Sequence, residues 1–270
     1  MILVGLGESG KNIVKLFKPH TKNYKIITLD ENDGIEKRDS VEEYDNDPIK
    51  FKQRGLKSHD KAALFVCGSG KIAGASLRVL EALRGYETTV FYIIPDLEFC
   101  SREEKLRHRV HFGVLQEYTR SGMINEMIIL DNANLLAVAG HGTVSNYYEK
   151  VNFFIYNTIQ NIFYCKHTNP EFGKIKSRKE VSRIGTIGIG SFDSDEESLL
   201  FSLENITESM FLVNIEEEDL NSDPSVIPKC QNIVRENKLK ERDTSFAIWH
   251  SSEESHFYSL HYTHFIQEGS

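Results

Sequence analysis

A glycine-rich run near the amino terminus has the residue types and spacing needed to hold a phosphate group. It follows a short apolar segment, precedes a helix-like stretch and matches the pattern GxGxxG. The run consists of Gly5, Leu6, Gly7, Glu8, Ser9 and Gly10. Glycines let the backbone approach a phosphate, and the N–H groups at the start of the following helix attract the anion. Asp30 lies 20 residues after Gly10, where a dinucleotide-binding unit holds ribose hydroxyls.

The same run can be interpreted in two further ways. Gly5, Gly10 and Lys11 fit the phosphate-binding P-loop, but Asn12 stands where that loop has a Ser or Thr to bind Mg²⁺. The run could also be a tight turn from strand to helix that binds no ligand. The glycines alone therefore do not choose between NAD and a nucleoside triphosphate.

A second glycine-rich run favours the triphosphate. It follows the apolar segment Ala63 to Val66 and leads into a helix-like stretch that starts near Ala75. Its candidate phosphate-binding residues are Gly68, Ser69, Gly70, Lys71 and Gly74. Two phosphate-binding helix N-termini on one sheet suit a triphosphate held from both sides, whereas a dinucleotide fold needs only one. Lys71 is either a phosphate contact or a surface residue.

Three further residues could form a pocket for a purine base. Tyr148 and Asn152 are four residues apart in a helix-like stretch, which places them on one helical face. An aromatic ring can stack on a purine, and the amides of Asn132 and Asn152 can donate and accept hydrogen bonds at its edge. The alternatives are core packing for Tyr148 and a turn or cap for either asparagine.

The elements that must position these residues alternate between strands and helices in the first half of the chain. The predicted strands are Ile2 to Val4, Lys25 to Leu29, Ala63 to Val66, Thr88 to Ile94 and Met127 to Leu130. The predicted helices are Lys11 to Phe17, Ala75 to Leu83 and Arg102 to Tyr118. This α/β pattern predicts a parallel sheet covered on both faces, with ligands beyond the carboxyl ends of its strands. Residues 34–61 are polar and predict loops with up to one short helix.

The second half of the chain has a different pattern. A long helix is predicted from about Ser145 to Tyr164, and the Pro- and Gly-containing segment Lys166 to Ser177 predicts a boundary. The strands predicted after it are Arg183 to Phe192, Met210 to Ile215, Thr244 to His250 and Phe257 to Phe265; the helices are Glu196 to Glu204 and Ile227 to Leu239. We therefore expect a smaller α+β domain here. The acidic cluster Glu216 to Asp219 predicts a solvated loop rather than a cation site.

The composition excludes several classes of protein. A net charge of −8 argues against direct binding of nucleic acid, whose phosphate backbone attracts basic surfaces. The four cysteines have no CxxC spacing, so neither a metal site nor a disulfide framework is predicted. No apolar stretch reaches the roughly 18 residues of a membrane helix, and no signal peptide is evident. We expect a soluble, cytoplasmic protein without membrane insertion.

The motifs, taken together and in this order, resemble those of the tubulin/FtsZ superfamily. The first glycine turn is similar to GxGGGGNN of FtsZ, which Gly5, Gly7, Gly10 and Asn12 match, and the second is similar to GGGTGxG, which Gly68, Gly70 and Gly74 match. The segment from Ile129 to Leu135 resembles IDNEAL of tubulins, and Tyr148 with Asn152 reproduces YxxxN. The ribose-contacting PFxFEGxxR is poorly kept: Pro95 and Phe99 remain, with Glu98, Arg102 and Glu103 as candidates only.

The resemblance implies a fold and a domain division. A Rossmann-like nucleotide-binding domain over residues 1–144 is followed by a central helix over 145–165, an interface segment over 166–182 and a C-terminal α+β domain over 183–270. GTP or GDP is the implied cofactor, with Mg²⁺ as a candidate companion. Asn132, Tyr148 and Asn152 are the implied guanine contacts.

The resemblance also implies a mode of action. Members stack head to tail into filaments, and a loop after the central helix acts on the neighbour's nucleotide. The FtsZ form of this loop, NxDxxD, aligns with residues 169–174: Asn169 matches, Glu171 stands at the first acid and Lys174 at the second. Lys174 cannot act as a carboxylate base, so GTP hydrolysis is expected to be weak or altered, although a lysine could stabilise phosphate charge. The implied partner is the chain itself, with a filament adaptor as a candidate. A nucleotide-binding relative that neither polymerises nor turns over GTP, and an NAD-dependent oxidoreductase using Asp30, are the alternatives.

Overall fold

The apolar runs predicted as strands in the first half of the chain lie side by side as parallel strands of a sheet. They are β1 (Ile2–Leu6), β2 (Lys25–Leu29), β3 (Lys61–Cys67), β4 (Glu87–Ile94) and β5 (Glu126–Asp131). The computed structural model describes residues 1–20, 22–40, 42–45, 49, 61–140, 146–192 and 196–268. The strand order is β2-β1-β3-β4-β5, and each neighbouring pair is parallel. All of β1 and the central residues of β3 are buried, as expected for strands covered on both faces.

The helices that follow these strands begin at different distances from them. They are α1 (Gly7–Leu16), α2 (Ser76–Ala82), α3 (Arg102–Arg120) and α4 (Asn132–Ala139). The helix α1 starts four residues earlier than predicted, because Gly7 adopts a φ of +71° and turns the chain directly out of β1. The helix α2 is preceded by a 3₁₀ turn, Lys71–Ala75. The predicted polar segment contains the 3₁₀ turn Glu42–Tyr44, and its residues 41, 46–48 and 50–60 lie outside the described residues.

The predicted long helix is present as α5 (Tyr147–His167), and its expected start at Ser145 lies outside the described residues. The chain divides into two compact units, Met1–Tyr156 with Ile266–Ser270 and Asn157–Phe265, so α5 contributes to both. In the first unit, Tyr156 of α5 makes an edge contact with Phe17, with ring centroids 4.8 Å apart. The carboxyl-terminal segment joins that unit through Gln267, whose N–H donates to Gln116 Oε1 at 2.7 Å.

The second unit contains strands and helices, with a mostly antiparallel strand arrangement. Its strands are β6 (Phe172–Gly173), β7 (Ile184–Ser191), β8 (Glu197–Leu199), β9 (Glu208–Glu216), β10 (Asp243–Ser251) and β11 (His256–Thr263). The order is β7-β11-β9-β10-β6, with β8 beside β7, and only the β9–β10 pair is parallel among the described pairs. Between β9 and β10 lie α6 (Glu217–Ser222) and α7 (Val226–Leu239). The predicted helix over α7 is confirmed, and Val226 and Cys230 enter the core of this unit.

Two sequence predictions in this unit are wrong. The helix predicted over Glu196 to Glu204 is instead the strand β8, because Glu197 makes tertiary contacts that outweigh its helix propensity. Its carboxylate reaches Ser259 and His261 of β11, and a Cβ at Gly188 of the intervening β7 would overlap it. The acidic cluster predicted as a loop forms the end of β9 and the first turn of α6, where carboxylates favour the helix N-terminus. Its residues Glu216 to Glu218 are exposed, as expected.

The contacts of His261 have the connectivity of a catalytic triad but not its accessibility. His261 Nδ1 lies 2.8 Å from Ser209 Oγ, and Nε2 lies 2.8 Å from Glu197 Oε1. Ser209 and His261 are fully buried within the sheet, so no substrate can reach the hydroxyl. This network holds β8 against β11 rather than performing chemistry.

Among the helices of the described ranges, none is long and apolar enough to cross a membrane.

Candidate functional site

A cavity of about 650 Å³ opens at the carboxyl ends of β1, β2 and β3, where a parallel sheet is expected to bind ligands. The residues assigned to the site from the sequence that line it are Gly7, Glu8, Ser9, Asn12, Asp30, Ser69, Gly70, Lys71, Tyr148 and Asn152. Both glycine turns and the start of α5 therefore meet at one cavity. The other lining residues are Leu6, Lys11, Glu31, Asn32, Lys37, Cys67, Ile72 and Ala73.

Two of the predicted glycines act on the position of α1 instead of lining the cavity. A Cβ at Gly10 would overlap the carbonyl oxygen of Phe65 in β3. A Cβ at Gly5 would overlap the carbonyl of Gly10 and lie 2.7 Å from the backbone nitrogen of Lys11. These glycines thus allow the first turn of α1 to pack directly on β1 and β3, which fixes the N-terminus of α1 at the cavity.

The structure places Asn132, Gly68 and Gly74 outside the lining of this cavity. Asn132 is the first residue of α4, and its neighbours Asp131 and Ala133 line a separate cavity of about 490 Å³. Gly68 lies buried beneath the second turn, and Gly74 lies within the 3₁₀ turn Lys71–Ala75. The predicted contact of Asn132 with a base stays a prediction.

The two helical N-termini at the cavity carry no side-chain cap. Leu6 precedes α1 and Gly70 precedes the 3₁₀ turn, and neither residue has a side chain that can accept a capping hydrogen bond. By contrast, Ser101 caps α3 by accepting from the N–H of Glu104, and Asp131 caps α4. The first N–H groups of a helix have no partner within it, so the uncapped termini are suited to an anionic ligand.

A buried polar network supports the second glycine turn. His111 Nδ1 lies 3.2 Å from the carbonyl oxygen of Gly68, and Tyr92 Oη lies 2.9 Å from His108 Nδ1. Arg107 Nε donates to the carbonyl of Ser69 at 3.1 Å. Burial lowers the pKa of His108 to about 4 and also lowers the pKa of His111. Both imidazoles are therefore neutral at pH 7.

The charges at the cavity occur as pairs of lysine and carboxylate. Lys11 Nζ donates to Asp30 Oδ2, which raises the pKa of Lys11 and lowers that of the Asp30 carboxyl. Lys37 lies 2.7 Å from Glu31 Oε2, and Lys71 donates to Asp39 Oδ1 at 2.5 Å. Asp30 is 6% exposed and its Oδ1 accepts from the N–H of Asn32, so both of its oxygens have donors.

The side chains around the cavity do not fit a protein-bound Mg²⁺. Magnesium sites in nucleotide-binding proteins use one or two carboxylates together with phosphate oxygens and water. Of the carboxylates lining the cavity, Asp30 is engaged on both oxygens and Glu31 is paired with Lys37. The remaining one, Glu8, is exposed and within electrostatic range of Lys11 and Lys37. No group of three metal-binding side chains occurs among the residues that the structure describes.

One face of α5 supplies the aromatic and amide groups of the cavity. Tyr148 is 72% exposed, so its ring is not part of the core, whereas Asn152 is 9% exposed. Both line the cavity. An exposed ring beside a buried amide offers a stacking surface and a hydrogen-bonding group to the same planar ligand.

The predicted catalytic loop lies in the second unit and is held by β10. The N–H of Glu171 donates to Ile248 at 2.8 Å, and the N–H of Lys174 donates to Phe246 at 3.1 Å. The side chains of Asn169, Glu171 and Lys174 are exposed. The backbone of this loop is therefore fixed while its polar side chains face solvent.

Comparison with known proteins supports a fold at low sequence identity. No family model matches the chain, and no curated protein matches it. A structure of TubZ from Bacillus thuringiensis serovar israelensis, a GTPγS-form protofilament, is 16% identical over 97% of this chain and 86% of that chain, with a TM-score of 0.68.

Two further solved structures have comparable TM-scores. An FtsZ dimer from M. jannaschii is 12% identical, over 97% of this chain and 87% of its own, with a TM-score of 0.68. CetZ from Methanosaeta thermophila is 12% identical over 98% of this chain and 86% of its own, with a TM-score of 0.66. The chain has the two-domain α/β fold of the tubulin/FtsZ superfamily.

Sequence reasoning missed several residues of the cavity. Lys11 fits the P-loop pattern, but no contact is assigned to it from the sequence, although its position directly after Gly10 is a signal for one. Asn32 and Lys37 lie in the polar segment after β2, which has no periodicity. Only the folded chain brings that segment to the cavity.

Proposed function

We propose that this chain is a GTP-binding, tubulin/FtsZ-like cytoskeletal protein that assembles head to tail into filaments. The observation that carries the proposal is that Tyr148 and Asn152, on one face of α5, line the same cavity as both glycine turns. In the proposed complex, the glycine turns would contact the phosphates and the α5 residues would contact the base. The cavity volume of about 650 Å³ suits a nucleotide.

The α5 residues favour a guanine nucleotide over other phosphorylated ligands. The exposed ring of Tyr148 can stack on a purine, and the Asn152 amide can both donate and accept at the base edge. A dinucleotide site has no role for either residue. The uncapped N-termini of α1 and the 3₁₀ turn would then receive the phosphates.

Solved structures with this fold support self-assembly. TubZ has been solved as GTPγS-form and GDP-form protofilaments and as two- and four-stranded filaments. We propose that this chain presents Asn169, Glu171 and Lys174 to the nucleotide of the next subunit. Lys174 replaces an acid there and cannot act as a carboxylate base, so hydrolysis should be weak.

Calorimetric titration with GTP, ATP and NAD tests the nucleotide. GTP should bind most tightly, and Asn152→Leu should weaken GTP binding about tenfold or more, because the buried amide loses its hydrogen bonds to the base. Asn157→Leu, on the same helix but outside the cavity lining, is the matched control and should bind GTP as the parent does. Parent-like GTP binding by Asn152→Leu would show that the base pocket is misplaced.

The stacking role of Tyr148 has its own test. Tyr148→Ala should lose about 1–3 kcal/mol of GTP-binding energy, the range seen for an aromatic side chain that stacks on a base. Tyr164→Ala, at the other end of α5 and also exposed, should lose none. Equal effects of the two variants would contradict stacking.

Sedimentation and phosphate release test assembly and turnover. The protein should pellet with GTP and with a non-hydrolysable analogue, and Lys174→Asp should raise the rate of phosphate release at high protein concentration. Pelleting that is independent of nucleotide would contradict coupled assembly. Tight GTP binding without pelleting would instead favour a non-polymerising relative.

One observation favours the NAD-dependent oxidoreductase: Asp30 lines the cavity at the end of β2. Its carboxylate oxygens already accept hydrogen bonds from Lys11 and from the N–H of Asn32, which leaves little capacity for ribose hydroxyls. Tight binding of NAD alone in the same titration would establish this alternative and overturn the proposal of GTP binding.

A further inference from the structure

Each glycine turn brings one lysine to the cavity. Lys11 lies in α1 directly after Gly10, and Lys71 opens the 3₁₀ turn directly after Gly70. Both line the cavity together with the uncapped N-termini that precede them. The cations therefore flank the place where backbone N–H groups are free to meet phosphate oxygens.

Lys11 is held in position by Asp30. Its side chain is 18% exposed, and Asp30 accepts one hydrogen bond from its ammonium group. An ammonium has three N–H donors, so two are left that can reach further acceptors. Lys11 can thus contact a phosphate without leaving Asp30, whose buried carboxylate would otherwise lose its cation.

Lys71 is held more weakly. Its side chain is 44% exposed, and its partner Asp39 is 83% exposed, so solvent screens this pair. Its carbonyl oxygen accepts from Tyr44 Oη at 3.2 Å, which anchors the backbone of the turn rather than the ammonium. Exchange of Asp39 for a phosphate oxygen would therefore cost little.

Building on the proposed GTP binding, we propose that Lys11 and Lys71 neutralise the nucleotide's phosphates and that binding needs no divalent cation. The carboxylates of the cavity fit this assignment, because Asp30 and Glu31 are each paired with a lysine. Asn12 occupies the position where a P-loop hydroxyl would hold Mg²⁺. The two ammonium groups would supply the positive charge that a metal ion supplies elsewhere.

The test is GTP affinity measured by calorimetry in the presence of Mg²⁺ and in the presence of EDTA. The parent protein should show less than about a threefold difference between the two conditions, since its counter-charges are covalently attached. A loss of tenfold or more in EDTA would overturn the proposal while leaving GTP binding intact. Failure to bind GTP in either condition would instead overturn the proposed function.

Substitutions of the two lysines test whether they contribute to GTP affinity. Lys11→Gln and Lys71→Gln should each weaken GTP binding in EDTA by about tenfold, with a smaller loss for GMP, which offers fewer phosphate oxygens. Lys15→Gln, one turn further along α1, exposed and outside the cavity lining, is the matched control and should bind as the parent does. Unchanged GTP affinity in both Lys11→Gln and Lys71→Gln would overturn the proposal.

Two further variants distinguish a lost phosphate contact from misfolding of the variant and from metal binding by the cavity. If Lys11→Gln does not fold because Asp30 loses its partner, Lys11→Gln/Asp30→Asn removes both charges, and Lys71→Gln tests the exposed lysine. Glu8→Gln removes the remaining carboxylate of the cavity and should leave binding equal in Mg²⁺ and EDTA. A Mg²⁺-dependent affinity in the parent that Glu8→Gln abolishes would contradict the proposal.

Discussion

The two glycine turns occupy equivalent positions on the sheet but are held in different ways. At the first, Gly5 and Gly10 bring backbone against backbone, and α1 begins directly at the end of β1. At the second, Gly68 faces the side chains of Tyr92 and His108, and a 3₁₀ turn precedes α2. The first turn is thus fixed by main-chain packing that leaves no room for a side chain. The second depends on a buried network of side chains.

This difference indicates which turn glycines tolerate substitution. A glycine required by backbone contact cannot be replaced without moving a helix, whereas a turn supported by side chains can change when its supports change. Gly70 has open space around its missing Cβ, and Lys71 follows it. Substitutions at both turns and a change of pH test this difference between the turns. The expected loss of stability is largest for a glycine of the first turn and smallest for Arg107, which contacts the second turn.

Gly10→Ala should lower the free energy of unfolding by about 3 kcal/mol or more, because the new methyl group overlaps Phe65 and α1 must move. Gly70→Ala, at the second turn, should change stability by less than about 0.5 kcal/mol. Urea denaturation measures both. As a control, Gly113→Ala in α3, which meets nothing within 4 Å, should stabilise the protein by about 0.5–1 kcal/mol. Equal losses at Gly10 and Gly70 would remove the contrast.

Lowering the pH from 7 to 5 should destabilise the protein by roughly 2 kcal/mol through His108. Burial lowers its folded-state pKa to about 4, below the unfolded value of 6.5, so in this range the unfolded chain binds the proton and the folded chain does not. Stability therefore falls as the pH falls from 6.5 towards 4. Urea denaturation of His108→Gln should show a smaller loss between pH 7 and 5, and a loss equal to that of the parent would contradict this role.

Tyr92→Phe should lower the free energy of unfolding by about 1–2 kcal/mol, since it removes the hydroxyl that lies 2.9 Å from His108 Nδ1 in the core. Tyr118→Phe is the matched control, because Tyr118 is a half-buried tyrosine on α3. This variant should change the free energy of unfolding by no more than about 0.5 kcal/mol. Thermal unfolding of both variants provides the measurement. A neutral Tyr92→Phe would indicate that the network under the second turn contributes nothing to stability.

Arg107→Gln should have the smallest effect on stability. It should lower the free energy of unfolding by less than about 1 kcal/mol, because Arg107 donates one hydrogen bond to the carbonyl of Ser69 from a partly exposed position. GTP affinity should fall slightly as the second turn loosens. Arg109→Gln, exposed on the same helix, should leave stability unchanged. Calorimetry of nucleotide binding and urea denaturation together measure both effects, and identical behaviour of the two variants would argue against Arg107 as a support of the turn.

Local patterns in the sequence were sufficient for most of the fold. The apolar runs of β1 to β5, the amphipathic stretch of α5 and the turn glycines are read from neighbours in the chain, because short-range sterics and burial on a sheet determine them. The spacing of Tyr148 and Asn152 placed both on one helical face, and both line the cavity. The prediction failed at β8, where a strand of three residues is stabilised by contacts with β11 that lie more than 60 residues away in the chain.

The sequence by itself determined that two glycine turns, one long helix and a parallel sheet would be present. Only the tertiary structure decided which polar residues meet at the cavity: it paired Lys11 with Asp30, brought Asn32 and Lys37 to the same site, and left Asn132 beside a different cavity. The physical reason is the range of the interactions. Helices, turns and strands follow from contacts along a few residues, whereas ion pairs and buried hydrogen bonds join residues whose separation in the chain carries no signal of their proximity.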